Sequence, residues 1–173
     1  MNLFKIDTYK KDGFVKVADV IKHYDGTWAL ENQHEYLWSD HRSWVYCIVL
    51  GNEIVKIGET GLPLGIRKKR ERYWKWPQPV IGTHNRFGRL RGFGKVRDPE
   101  WKDTDVRIRR ALLEEQEPIS LWVRKCEVAT LPITVYGQQE ETQHAYHKEL
   151  EKAYLTRIEK ETGSLPRLNI GKI

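Results

Sequence analysis

Cysteine, methionine and long apolar runs are what this sequence has least of. Its 173 residues include two Cys and one Met. No stretch approaches the roughly 20 apolar residues that a membrane-crossing helix needs. Cys47 and Cys126 are too few for a disulfide framework or a metal knuckle, and both lie in apolar, strand-like runs, so they read as buried thiols. Charged residues are scattered through Met1 to Val20 without a continuous apolar segment, which argues against a cleaved secretory signal and makes a cytoplasmic location the expectation. Internal repeats and low-complexity tracts are also missing.

What is present suits one globular domain. The hydrophobic fraction is 39% and the charged fraction 31%, with seven Trp, eight Tyr and four Phe, a balance that excludes a disordered chain. The length allows one core and is too short for two well-packed ones. A net charge of +6 and a pI near 9.3 favour polyanions without naming one. The distribution says more than the total. Lys and Arg concentrate between Arg67 and Arg110, among Tyr73, Trp74, Trp76, Phe87, Phe93 and Trp101, whereas acids cluster at Glu114–Glu117 and Glu140–Glu161.

Along the chain, residues 1–43 read as an N-terminal extension with a short helix at Val15–His23, where Val17, Val20 and Ile21 have helical spacing. From Trp44 to Leu50 the residues are β-branched and aromatic, Gly51-Asn52 is a turn signal, and Glu53–Gly58 resumes the strand pattern, so Trp44–Thr60 is a β-hairpin. Leu64–Trp74 is compatible with a basic helix. Residues 75–100 are rich in Pro and Gly and read as a long loop or irregular insertion. Val106–Leu113 reads as a short helix and Ile119–Val128 as a third strand. Gln138–Glu161 is the longest helical candidate, striped by Leu150, Tyr154 and Ile158 and closed by Gly163 and Pro166. The order predicts a small α+β fold.

Tyr46 and Lys56 are the chemically interesting pair of the hairpin. A three-residue loop, Leu50-Gly51-Asn52, would put them directly opposite each other, and a strict two-residue turn would put them on opposite faces. An ammonium near a phenol favours phenolate and makes it a better proton acceptor. Taken alone, the two residues are better explained as a strand aromatic and a solvated lysine.

Five features in order, Val45-Tyr46, Lys56-Ile57-Gly58, Arg67, a glutamate on a late helix and Pro166-Arg167-Leu168-Asn169, resemble the GIY-YIG nuclease family over roughly Trp44 to Asn169. The first motif lacks its initial glycine, and Lys56 stands where the second begins with tyrosine. A lysine there, with its spacing to Arg67, is similar to a restriction-endonuclease branch of the family. The resemblance implies a small α+β domain with a central antiparallel sheet, formed by the hairpin and the third strand and flanked by helices. Residues 44–173 would be the nuclease domain, residues 1–43 an N-terminal extension and residues 74–105 a basic, DNA-contacting insertion.

Phosphodiester hydrolysis needs a deprotonated water, neutralisation of charge growing on the phosphate oxygens, and help for the departing alkoxide. By resemblance, Tyr46 would be the general base and Lys56 its partner, and Arg67 would hold a phosphate oxygen with its permanently charged fork. The late helix would supply a carboxylate for a hard divalent cation, Mg²⁺ with Mn²⁺ as a substitute, because such ions keep waters and can make do with one protein carboxylate. Glu151 is the expected metal ligand and Glu149 the second choice. Asn169 would support the site. Glu59 falls where lysine-containing relatives carry a histidine; it could be a second acid, a partner of Lys56 or Arg67, or merely exposed. His147 shares a helix face with Glu151, but His144 and His147 lack the further ligands a zinc site needs.

Lys68, Lys69, Arg70, Lys75, Arg86, Arg89, Arg91, Lys95 and Arg97 interleave with aromatics and glycines, which suits phosphate binding and reading of base edges. A solvated loop with tucked aromatics is the other reading of this stretch. The expected function is metal-dependent, sequence-specific cleavage of double-stranded DNA, as by a type II restriction enzyme. A phage or mobile-element endonuclease, or a non-catalytic nucleic-acid-binding module on the same scaffold, are the alternatives. One active site cuts one strand, so a double-strand break implies a homodimer.

Overall fold

The computed structural model describes residues 2–22, 28–61, 64, 112 and 114–169. Five strands form an antiparallel sheet: β1 (Val15–Lys22), β2 (Trp28–Glu31), β3 (Trp44–Leu50), β4 (Glu53–Thr60) and β5 (Ile119–Lys125). Their spatial order is β2-β1-β5-β3-β4. Two more strands, β6 (Val128–Val135) and β7 (Gln138–Ala145), make a separate two-stranded ribbon. A short helix α1 (Ile6–Lys10) precedes the sheet, and a long helix α2 (His147–Thr162) follows the ribbon. The architecture is α+β with a central antiparallel sheet. Among the described residues no helix is long and apolar enough to cross a membrane.

β3 is the spine of the sheet. It is flanked by β4 and β5, and all seven of its residues are buried. A strand covered on both faces reads as a continuous apolar run, which is what Trp44–Leu50 does. Alternation along β3 divides the interior in two. Trp44, Tyr46, Ile48 and Leu50 join Val17, Val20, Leu121, Val123, Leu64, Leu112 and Leu168 on one face. Val45, Cys47 and Val49 join Ile6, Tyr9, Ile54, Ile57, Leu155 and Ile158 on the other, under α1 and α2. Each large aliphatic side chain buried in these layers contributes about 1.5–3 kcal/mol. Cys47 and Cys126 are free and buried, as the sequence suggests, and burial raises both thiol pKa values.

Two expectations fail. Val15–Lys22 is a strand, not a helix, and pairs with both β2 and β5. Its Val17, Val20 and Ile21 fit a helical spacing, but β-branched residues also suit a pleated surface, and here the open edge of β5 decides. The second failure is the start of the long helix. Residues 138–145 are strand β7, and helix begins only at His147. Gln- and Glu-rich composition favours helix locally. The preceding turn overrides it: Tyr136 and Gly137 have φ of 50° and 79°, the two positive values of a tight hairpin turn, and they fold β7 back on β6. α2 then runs to Gly163, whose left-handed conformation ends it as expected. The proposed helices at Leu64–Trp74 and Val106–Leu113 lie, save for Leu64 and Leu112, outside the described residues.

Helix α2 is anchored to the sheet by chemistry as well as by packing. Arg124 of β5 donates to the Tyr154 hydroxyl, which donates to Asp12 at 3.0 Å. Burial pushes the Tyr154 phenol up to about 12, against the opposing pull of Arg124.

Candidate functional site

The hairpin turn is tight, and neither simple register applies. Leu50 pairs with Glu53 across Gly51-Asn52, but a bulge between Ile48 and Val49 leaves Val55 as an extra residue on β4. Lys56 therefore lies opposite Ile48, and Tyr46 opposite Gly58. The bulge restores the parity that a two-residue turn would have broken, so Tyr46 and Lys56 share a face as diagonal neighbours.

Tyr46 lies flat over Gly58. A Cβ built on Gly58 would stand 2.3 Å from both Cζ and the hydroxyl oxygen of Tyr46, closer than any real carbon contact. Only glycine permits this seat for the phenol. Tyr46 is 3% exposed and Lys56 7%, so both side chains are buried. Lys56 Nζ lies 3.5 Å from the carbonyl oxygen of Leu168.

The outer edge of β4 is held by the C-terminal turn. Leu168 donates its N–H to Val55 at 2.8 Å. The Asn169 side chain then acts as a strand mimic: its Nδ2 donates to the Ile57 carbonyl at 2.7 Å, and its Oδ1 accepts the Ile57 N–H at 2.8 Å. Asn169 thus closes both backbone groups of the residue between Lys56 and Gly58. Replacing it by Ala should leave that N–H and that carbonyl without these partners and lower stability by about 1–3 kcal/mol, a fall of several degrees in Tm by thermal melting. A variant that melts like the wild type would remove this role.

Glu59 projects to the other face, opposite Val45. Its Oε2 lies 3.3 Å from Nε2 of His147, at the start of α2, and the other ring nitrogen of His147 is 3.2 Å from Ser43 Oγ. Ser43 and His147 are buried, and Glu59 is the more open end of the chain of contacts. One ring proton satisfies both: Nε2–H donates to Glu59 and Nδ1 accepts from Ser43. The sequence reading missed Ser43 altogether and weighed His147 only as a metal ligand. The available signal was that a histidine wanting at position 59 could come from another element.

Glu151 is half-buried on α2, one turn beyond His147. Glu149 is exposed, and its Oε1 lies 3.1 Å from Nε2 of His144. Its carboxyl is held below the usual range by its own backbone N–H and by His144. The structure thus brings Tyr46, Lys56, Gly58 and Asn169 together around β4, and joins Glu59 to His147 on the α2 side of the same edge strand, with Glu151 one helical turn further along α2. Arg67 and all the basic residues expected to touch DNA, Lys68, Lys69, Arg70, Lys75, Arg86, Arg89, Arg91, Lys95 and Arg97, lie outside the described residues.

The sequence matches no protein-family model and no curated protein. Its structure does find similar folds. A mutant of bacteriophage T4 EndoII superposes with a TM-score of 0.55 at 17% identity, covering 96% of this chain and 99% of that one. The fold is that of bacteriophage T4 EndoII. The restriction endonuclease HPY188I, solved in complex with product DNA, matches more loosely, with a TM-score of 0.45 and 16% identity over 99% of this chain and 94% of that one. The EndoII likeness runs along nearly the whole of both chains.

Proposed function

We propose that this chain is a divalent-metal-dependent endonuclease of the GIY-YIG type that hydrolyses phosphodiester bonds in double-stranded DNA, as a type II restriction enzyme does. The observation that carries the proposal is the seating of Tyr46 over Gly58 beside Lys56. It gives a physical purpose to the tyrosine, the lysine and the glycine of the two short motifs at once. The EndoII fold supports it, although fold alone does not fix chemistry.

In this reading a water molecule binds beside Tyr46. Tyr46, with Lys56 as its neighbour, takes the proton of that water while the water oxygen forms the new bond to phosphorus. The bond from phosphorus to the departing oxygen breaks, and that oxygen receives a proton from solvent. Arg67 neutralises a phosphate oxygen. Asn169 keeps Ile57, and with it the Lys56 and Gly58 positions, in register. The Glu59–His147–Ser43 contacts fix the N-terminal end of α2 against β4, and so set where Glu151 stands.

The donor chemistry fits Mg²⁺ or Mn²⁺. Among the described residues no three His, Cys, Asp or Glu side chains gather as a cage, and a hard ion held by the Glu151 carboxylate together with water and phosphate oxygens needs none. Such an ion would supply charge stabilisation at the phosphate. The basic segment from Arg67 to Arg97 would contact the duplex, and a homodimer would pair two sites for a double-strand cut.

Incubation with a long mixed-sequence duplex and Mg²⁺ should yield discrete fragments. Retention of the DNA on the protein with no cutting would instead indicate a binding module.

A further inference from the structure

The described exposed large hydrophobic side chains all fall in one place. Val128, Leu131, Ile133, Tyr136 and Tyr146 lie on the β6–β7 ribbon or at its base. Leu131 and Ile133 are each 38% exposed and Tyr136 is fully so, at 103%. The ribbon's register explains the pattern. Pairing of Leu131 with Thr142 and Ile133 with Glu140 puts Ala129, Leu131, Ile133 and Val135 in one row on one face, and leaves Thr130, Pro132 and Thr134 on the other. Eight-residue strands reach about 26 Å, and among the described elements the ribbon packs chiefly on itself. An isolated two-stranded hairpin of this kind is marginal in water, so an aliphatic row that no other described element covers asks for a cover.

Charge indicates the cover. Residues 127–146 hold Glu127, Glu140 and Glu141 and no Lys or Arg. The segment therefore carries −3, and with +6 on the whole chain the remainder carries +9. A phosphate backbone or an anionic lipid surface would be repelled by the ribbon. The oppositely charged body of a second copy would attract it, and would bury the aliphatic row as it does so.

We propose that the β6–β7 ribbon is a self-association arm whose Ala129–Leu131–Ile133–Val135 face docks on a second copy of this chain. The arm does not depend on the nuclease reading, and its test uses neither DNA nor metal. Sedimentation or light scattering of the full chain at about 10 µM should give at least a dimer. The double variant Leu131→Glu/Ile133→Glu places two charges in the docked row and should weaken association by at least about a hundredfold, tenfold or more for each, giving a monomer with an unchanged circular-dichroism spectrum. Thr130→Glu/Thr134→Glu alters the opposite face and should leave the dimer intact. The proposal falls if the wild type is a monomer, if the Leu131/Ile133 variant keeps the wild-type mass, or if the threonine pair dissociates it equally.

Discussion

Gly58→Ala should cut the rate of DNA cleavage by roughly a hundredfold while leaving a folded protein. The added methyl would stand 2.3 Å from the Tyr46 ring carbon and from its oxygen, so the phenol has to leave its seat. Overpacking of this kind costs about 1–3 kcal/mol of stability, which a domain of ordinary stability survives. The larger loss is geometric, since a displacement of about 1 Å at a reacting group can cost about a hundredfold in rate. Gly61→Ala is the milder comparison, with a smaller expected loss. Its methyl would meet Nε2 and Cε1 of His147 at 3.2 and 3.3 Å and the Arg42 carbonyl oxygen at 3.8 Å, and the ring can yield by the few tenths required. Cleavage rates measured on one duplex, with melting curves for both variants, separate the two cases. Equal rates for Gly58→Ala and the wild type would mean that the position of Tyr46 does not matter to the reaction.

Glu151→Gln should have the second large effect. The substitution keeps the shape and removes the charge that would hold Mg²⁺, and loss of several kcal/mol of charge stabilisation amounts to roughly a thousandfold or more in rate. Retention of DNA on the protein should persist, because the carboxylate is not one of the groups proposed to hold the duplex. Glu149→Gln should do little, since that side chain is exposed and engaged with His144. Rates with each variant over a Mg²⁺ titration distinguish them. Unchanged cutting by Glu151→Gln would remove it as the metal ligand and return attention to Glu149.

The hairpin was readable from the chain because β3 has to be apolar on both faces and because Gly51-Asn52 is a strong turn signal. The shared face of Tyr46 and Lys56 was not readable, since it depends on a bulge at Val55 that no residue type announces. Val15–Lys22 was misread because Val and Ile fit two periods at once, and only the neighbouring strand chooses between them. The ribbon was hidden in another way. Pro132 interrupts a strand-like run, and Gln138–Ala145 has helix-favouring composition; the decisive feature is the backbone of Tyr136-Gly137, where a tyrosine takes a positive φ that sequence patterns do not lead one to expect. Of the candidate site, Tyr46, Lys56 and Asn169 could be named from motif order. The Ser43–His147–Glu59 contacts span more than a hundred residues of chain and became visible only with the helix docked.

Nicking of covalently closed plasmid DNA is the most direct measurement. With Mg²⁺ the full chain should convert the supercoiled form to relaxed or linear product, and chelation of the metal should stop the conversion. Plasmid that stays supercoiled with Mg²⁺ or Mn²⁺ present, while the protein retards it in a gel, would contradict a phosphodiesterase site at Tyr46 and Lys56.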